Sequence, residues 1–141
     1  MGGVAKRLAL LAFGAALVAG CGGQPTFTAS EFIDRINAEG VSIELGRKLA
    51  SSGDAKELYA VRLPPLPGEP KAPPGSEGGS GASGSLYVFE DAGGAEGQLK
   101  ACQAANGLIC FRASNIVVVL DEESGRLEVQ RLAVAVKRLA Q

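Results

Sequence analysis

The order of apolar patterns along this chain predicts an α+β fold: a single small domain with a mainly antiparallel sheet of about 4–5 strands and three helices, the helices on one face. Three observations lead there. The elements read helix, strand, strand, long insertion, strand, helix, strand, strand, helix. The last two strands are parted by only a few residues around Ala113-Ser114, the spacing of a hairpin. Neither side of the insertion is convincing alone, since Thr26 to Leu63 is shorter than the roughly 40 residues at which a lone core usually fails.

The first helix is signalled by "FTASEFIDRINAEGV". Thr28 and Glu31 have capping-box spacing, and Phe27 and Phe32 are placed to staple the chain across that cap. Phe32, Ile33 and Ile36 form one apolar face. Gly40 can adopt the left-handed conformation that stops a helix, with Val41 folding back toward Ile36. The expected span is Ala29 to Glu39, with Asp34, Arg35 and Asn37 on a solvated face. "VSIEL" alternates Val41, Ile43 and Leu45 on one side and reads as a strand. "GRKLASSGDA" reads as turn, and "KELYAVRL" as a second strand with Tyr59, Val61 and Leu63 on one face.

Residues 64–85 hold six of the chain's seven prolines among Gly, Ser and charged residues. The first half favours extended polyproline conformations and the second half favours flexibility. Within it, Gly79-Ser80-Gly81-Ala82-Ser83-Gly84 matches the G-x-G-x-x-G pattern of dinucleotide-binding loops. That chemistry requires a strand before the glycines and a helix after them, whose N-terminus holds the pyrophosphate. A proline-rich coil precedes this match and the strand "SLYVFED" follows it, so no cofactor is expected there.

"GAEGQLKACQAANG" reads as a short helix with Ala95, Leu99 and Cys102 on its buried face. Gly93, Gly94 and Gly97 weaken its first turn, and Asn106-Gly107 ends it. "LICFR" and "NIVVVLD" are the hairpin strands. From about Gly125 to Ala140 runs an amphipathic helix with Leu132, Val136 and Leu139 as its stripe, Val129 and Ala133 beside them, and the charges of Glu128, Arg131 and Arg138 opposite.

The front of the chain has a different character. Lys6 and Arg7 precede an apolar run from Leu8 to Gly20, too short for the roughly 20 residues a membrane span needs but suited to a signal-peptide core. Val18-Ala19-Gly20-Cys21 resembles the lipobox of bacterial lipoproteins, a resemblance confined to the first 21 residues. It implies cleavage before Cys21 and a diacylglyceryl group on its thiol. Residues 1–20 are then the signal peptide, 21–26 a lipid-anchored tether, and 27–141 a single α+β domain with insertion 64–85. The rival is an ordinary secretory signal with Cys21 free or paired. The later pattern, from "SLYVFED" through "ICFRASNIVVVLD", is similar to small uncharacterised bacterial lipoproteins, a resemblance that brings no activity with it.

The chain has three cysteines. With Cys21 lipidated, Cys102 and Cys110 remain as one possible disulfide, which a helix–turn–strand reversal can close. Export makes the oxidised state the expected one. Their spacing is not the Cys-x-x-Cys of thiol oxidoreductases.

Composition narrows the chemistry further. There is no histidine or tryptophan in the chain and its one methionine is Met1, so Ser-His-Asp and Cys-His catalysis within the chain is excluded, as are His-containing metal sites. Removal of Lys6 and Arg7 from 14 basic residues leaves 12 against 15 acidic ones, a formal charge of −3. With no basic patch, nucleic acid is not an expected partner. The run Asp121-Glu122-Glu123 lacks the ligand spacing of a calcium loop, and no metal is expected. The reading that follows is a membrane-anchored extracytoplasmic lipoprotein, a non-enzymatic accessory or binding module of the cell envelope. Its expected partners are the membrane, through the lipid, and an envelope protein or small molecule. Two alternatives stand beside it: an envelope enzyme using paired carboxylates, with Glu90 and Asp91 the first suspects, and a passive structural envelope protein.

Overall fold

The computed structural model describes residues 25–65, 81–121 and 126–141. Cys21 and most of the expected insertion lie outside these residues. The elements in chain order are α1 (Ala29–Ala38), β1 (Glu44–Leu49), β2 (Glu57–Leu63), β3 (Ala82–Val88), α2 (Ala92–Ala104), β4 (Leu108–Ala113), β5 (Ile116–Asp121) and α3 (Arg126–Leu139). The sheet order is β1-β2-β3-β5-β4, and every neighbouring pair is antiparallel. This is an α+β fold of three helices on a five-stranded antiparallel sheet. Because β5 lies between them, β3 and β4 run parallel, and α2 makes the crossover that joins them.

Local chemistry sets α1. Thr28 accepts the Glu31 amide at 3.2 Å while Glu31 accepts the Thr28 amide at 2.9 Å, completing the capping box. Phe27 and Phe32 are both buried in the same core. The helix stops as the sequence implies, with Glu39 as its C-cap and Gly40 at φ 92°, a left-handed conformation natural to glycine.

Strand β1 departs from expectation. Val41 and Ile43 are buried, but the strand begins only at Glu44 and runs through residues expected to be turn. The cause is Asn37, whose amide takes both backbone groups of Ile43: its Oδ1 accepts the Ile43 N–H at 2.8 Å and its Nδ2 donates to the Ile43 carbonyl at 2.9 Å. Asn37 thus supplies the partner that a neighbouring strand would otherwise offer, rather than simply facing solvent. Farther along, Leu45 opposes Val61 and Lys48 opposes Tyr59, so Gly46 and Arg47 together face Ala60 in a bulge. The bulge breaks the two-residue period, which is why "ELGRKL" does not read as a strand.

Strand β3 begins at Ala82, inside the stretch expected to be insertion up to residue 85. Ala82–Ser85 pair with Leu63–Ala60 on one side, and Gly84 opposes Leu120 on the other. A Cβ at Gly84 would overlap the Val119 carbonyl, so the two backbones approach too closely for any other residue. The glycine that completes the apparent dinucleotide fingerprint therefore serves strand packing, and a strand follows it where a nucleotide-binding loop requires a helix.

The helices do not share one face. α1 and α3 cover the side formed by Val61, Leu63, Leu86, Val88, Ile116, Val118 and Leu120, with Phe32, Ile36 and Leu132 fully buried. α2 packs on the opposite side, where Ala95 meets Phe89, Val117 and Ala55. Strand β5 is buried on both sides, with Ile116, Val118 and Leu120 on one face and Val117 on the other, so "NIVVVLD" supplies a core to each. Within α2, Ala95 and Cys102 are buried but Leu99 is only half-buried. In α3, Leu132, Ala135 and Val136 are buried, and so is Glu128, which was expected on the solvated face. Glu128 lies four residues before Leu132 and seven before Ala135, so helical geometry carries it onto the apolar stripe whatever its charge. Its place in the first turn also suits the positive end of the helix dipole.

Candidate functional site

The most elaborate polar arrangement among the described residues surrounds the turn Ser114–Asn115. Ala113 and Ile116 form the last rung of the β4–β5 ladder, leaving a two-residue loop. Ser114 has φ 51°, the one positive value for a non-glycine residue among the described residues. A side chain in this region costs about 1–3 kcal/mol and persists only where its surroundings hold it. Here they do. Ser114 Oγ donates to the Pro25 carbonyl at 2.6 Å. Asn115 is 3% exposed. Its Oδ1 accepts the Phe27 N–H at 2.7 Å, and its Nδ2 donates to the carbonyls of Phe27 at 3.0 Å and Phe89 at 2.9 Å. The Phe89 N–H donates to the Asn115 carbonyl at 2.9 Å.

Both amide hydrogens and the amide oxygen of Asn115 are thereby used. The turn ties together the chain entering α1, the segment leaving β3, and its own hairpin. Residues 25–27, which lead back toward Cys21, are stitched to the domain at this point. The sequence shows the hairpin but conceals the clamp, because an asparagine in a tight turn is ordinary by itself. The signal that could have pointed to it is the pairing of a non-glycine with an asparagine in a two-residue loop, since such loops favour positive φ.

Cys102 near the end of α2 and Cys110 in β4 form the expected disulfide, with Cα atoms 6.2 Å apart. The bond joins α2 to an edge strand, since among the described strands β4 pairs only with β5.

Glu90 and Asp91 are not assembled as a catalytic pair. Asp91 is the N-cap of α2, its carboxylate accepting the Gly94 N–H at 2.9 Å, and Glu90 is exposed beside Lys56 at 3.6 Å. Asp121 ends β5 on the surface, while Glu122 and Glu123 lie outside the described residues. Among the described residues no group of three or more His, Cys, Asp or Glu side chains could hold a metal ion.

A groove of about 360 Å³ runs between the C-terminal end of α1 and α3, lined by Glu39, Gly40, Gln130, Arg131, Val134 and Arg138. Its one carboxylate, Glu39, accepts from Arg138 at 2.6 Å, so it offers no acid–base pair of carboxylates.

The resolved shifts in acidity belong to surface structure. The Thr28 backbone N–H, then its hydroxyl, hold Glu31 below its ordinary 4.5. The hydrogen bond from Lys48 lowers Glu57, and the same bond raises Lys48. These groups are exposed or nearly so, and they cap a helix and cross-link β1 to β2.

In comparisons with known proteins, no family model, no curated protein and no solved structure matches the chain.

Proposed function

We propose that this protein is a lipoprotein of the bacterial cell envelope, held on the extracytoplasmic face of the membrane by a lipid on Cys21, and that its domain is a non-enzymatic accessory or binding module. The observation that carries the reading is the sequence Val18-Ala19-Gly20-Cys21 behind a short basic and apolar leader. Two further features support it. A disulfide between Cys102 and Cys110 suits an oxidising compartment and leaves Cys21 as the odd thiol. No helix of the described residues is long and apolar enough to cross a membrane, so attachment would have to come from elsewhere in the chain.

The Ser114–Asn115 clamp gives this reading a length scale. Pro25 is fixed to the domain, and four residue steps separate it from Cys21, a reach of about 14 Å at full extension. A domain so tethered works at the bilayer surface and meets partners that are themselves in or on the membrane. Two or more acyl chains suffice for stable attachment, whereas one is marginal.

The test is the intact mass of the protein extracted from membranes. The expected species begins at Cys21 and carries a diacylglyceryl-sized addition, and reduction adds two hydrogens for the Cys102–Cys110 bond. An unmodified chain recovered from the medium would overturn the anchor and redirect the search to soluble ligands.

A further inference from the structure

We propose that the Cys102–Cys110 disulfide is a redox latch: its reduction releases the C-terminal half of α2 from β4, while the capped first turn on Phe89 and Val117 and the face covered by α1 and α3 stay folded. This inference stands independently of the lipid anchor.

Few buried side chains hold α2. Over its thirteen residues it buries two side chains, Ala95 and Cys102. Ala95 lies in the first turn, close to the Asp91 cap. From Glu96 to Ala104 Cys102 alone is buried, and its principal tie is the covalent bond itself. Gly93, Gly94 and Gly97 disfavour the helix wherever packing does not impose it. Apart from Cys102, the C-terminal half of α2 has no buried side chain, and Gln98 and Leu99 are half-buried.

The position of the bond suits exchange. Cys110 is half-buried on β4, a strand at the rim of the sheet. An incoming thiolate attacks one sulfur and forms a mixed disulfide, and the reductant's second thiol resolves it. The Cys102–Cys110 bond breaks, two protein thiols form, and the dithiol reductant closes into its own disulfide. Two electrons and two protons pass to the protein.

What stays closed is also defined. Ala55, Phe89, Ala95 and Val117 form a cluster that shares no residue with the larger core on the other face. The Phe89 backbone is fixed by the Asn115 clamp, so the release of α2 does not travel into the segment before it. Opening is therefore local, of the kind seen when one cooperative unit unfolds beneath the global transition.

Hydrogen exchange of the full chain, followed by mass spectrometry with and without dithiothreitol, tests the latch. The expected result is that amides of residues 96–104 exchange roughly tenfold or more faster after reduction, while those of α1 and β5 change little. The C102A/C110A double variant should match the reduced protein without reductant. Unchanged exchange in α2 would show that the helix is held by packing alone. Protection lost throughout the chain, or a double variant that fails to fold, would show a global staple. Any of these results overturns the latch.

Discussion

The two faces of the sheet are built by different means. Beneath α1 and α3, large side chains interlock: Phe32, Ile36, Leu86, Leu120 and Leu132 are all at 0% exposure. Beneath α2, the helix contributes an alanine seated on Phe89 and Val117, a disulfide and a capped first turn. The first face is maintained by removal of apolar area from water, at roughly 25 cal/mol per Å². The second has a smaller cluster, Ala55, Phe89, Ala95 and Val117, and adds a covalent link, which in a loop this short contributes about 2–3 kcal/mol. Burial is always in force, whereas a disulfide depends on its surroundings. The same sheet thus carries one permanent face and one conditional face.

That contrast can be broken most directly on the permanent side. Phe32→Ala should cost about 3–5 kcal/mol, the range for deleting a fully buried aromatic ring, and should shift the denaturant midpoint of the whole domain. A loss below about 1 kcal/mol would mean that the α1 face is not the dominant core. Next in size is Asn115→Ala, which strikes the turn that touches both sides. Leaving the Phe27 N–H without its acceptor should cost about 1–3 kcal/mol. The Phe27 amide should lose exchange protection before the β3–β5 ladder does. The smallest effect sharpens the conditional side. Gly97→Ala should stabilise the protein by up to about 1 kcal/mol, because a Cβ there meets nothing within 4 Å and helix propensity alone changes. Gly94→Ala should gain less, since its Cβ would come within 3.0 Å of Phe89 Cδ1. Equal midpoints for the two variants would show that α2 does not rest on Phe89 as described.

These differences also explain what could be read in advance. The cap, staple, apolar face and stop of α1 are contiguous, so every term that shapes it lies within fifteen residues of "FTASEFIDRINAEGV". The β4–β5 hairpin is equally local. A strand was legible at "VSIEL", but its bounds were not, because its start is decided by Asn37 and its period is broken at Gly46 by the bulge opposite Ala60. The side of the sheet that α2 would choose was not legible either. Its own pattern contains small residues and cysteine, and the surface receiving it comes from Phe89 and Val117. Glu128 was misplaced because charge was weighed above spacing. The clamp was least accessible of all, since Phe27 and Asn115 are 88 positions apart and Pro25 and Ser114 are 89 apart. Of the candidate residues, the disulfide pair could be inferred from counting and proximity along a reversal. Cys21 remains a reading of the leader.

The register between β2 and β3 has a consequence for how this chain can change. Leu63 and Ala82 are directly opposed as the final rung of that ladder, so the two ends of the segment that joins β2 to β3 are held at neighbouring points. The separation of those points is set by the sheet and is indifferent to the length of chain between them. For any flexible insert placed between them, doubling its length costs only about 0.6 kcal/mol in closure entropy. The β2–β3 junction is therefore a port: segments can be lengthened, exchanged or given a new recognition sequence there while both faces of the sheet keep their registers.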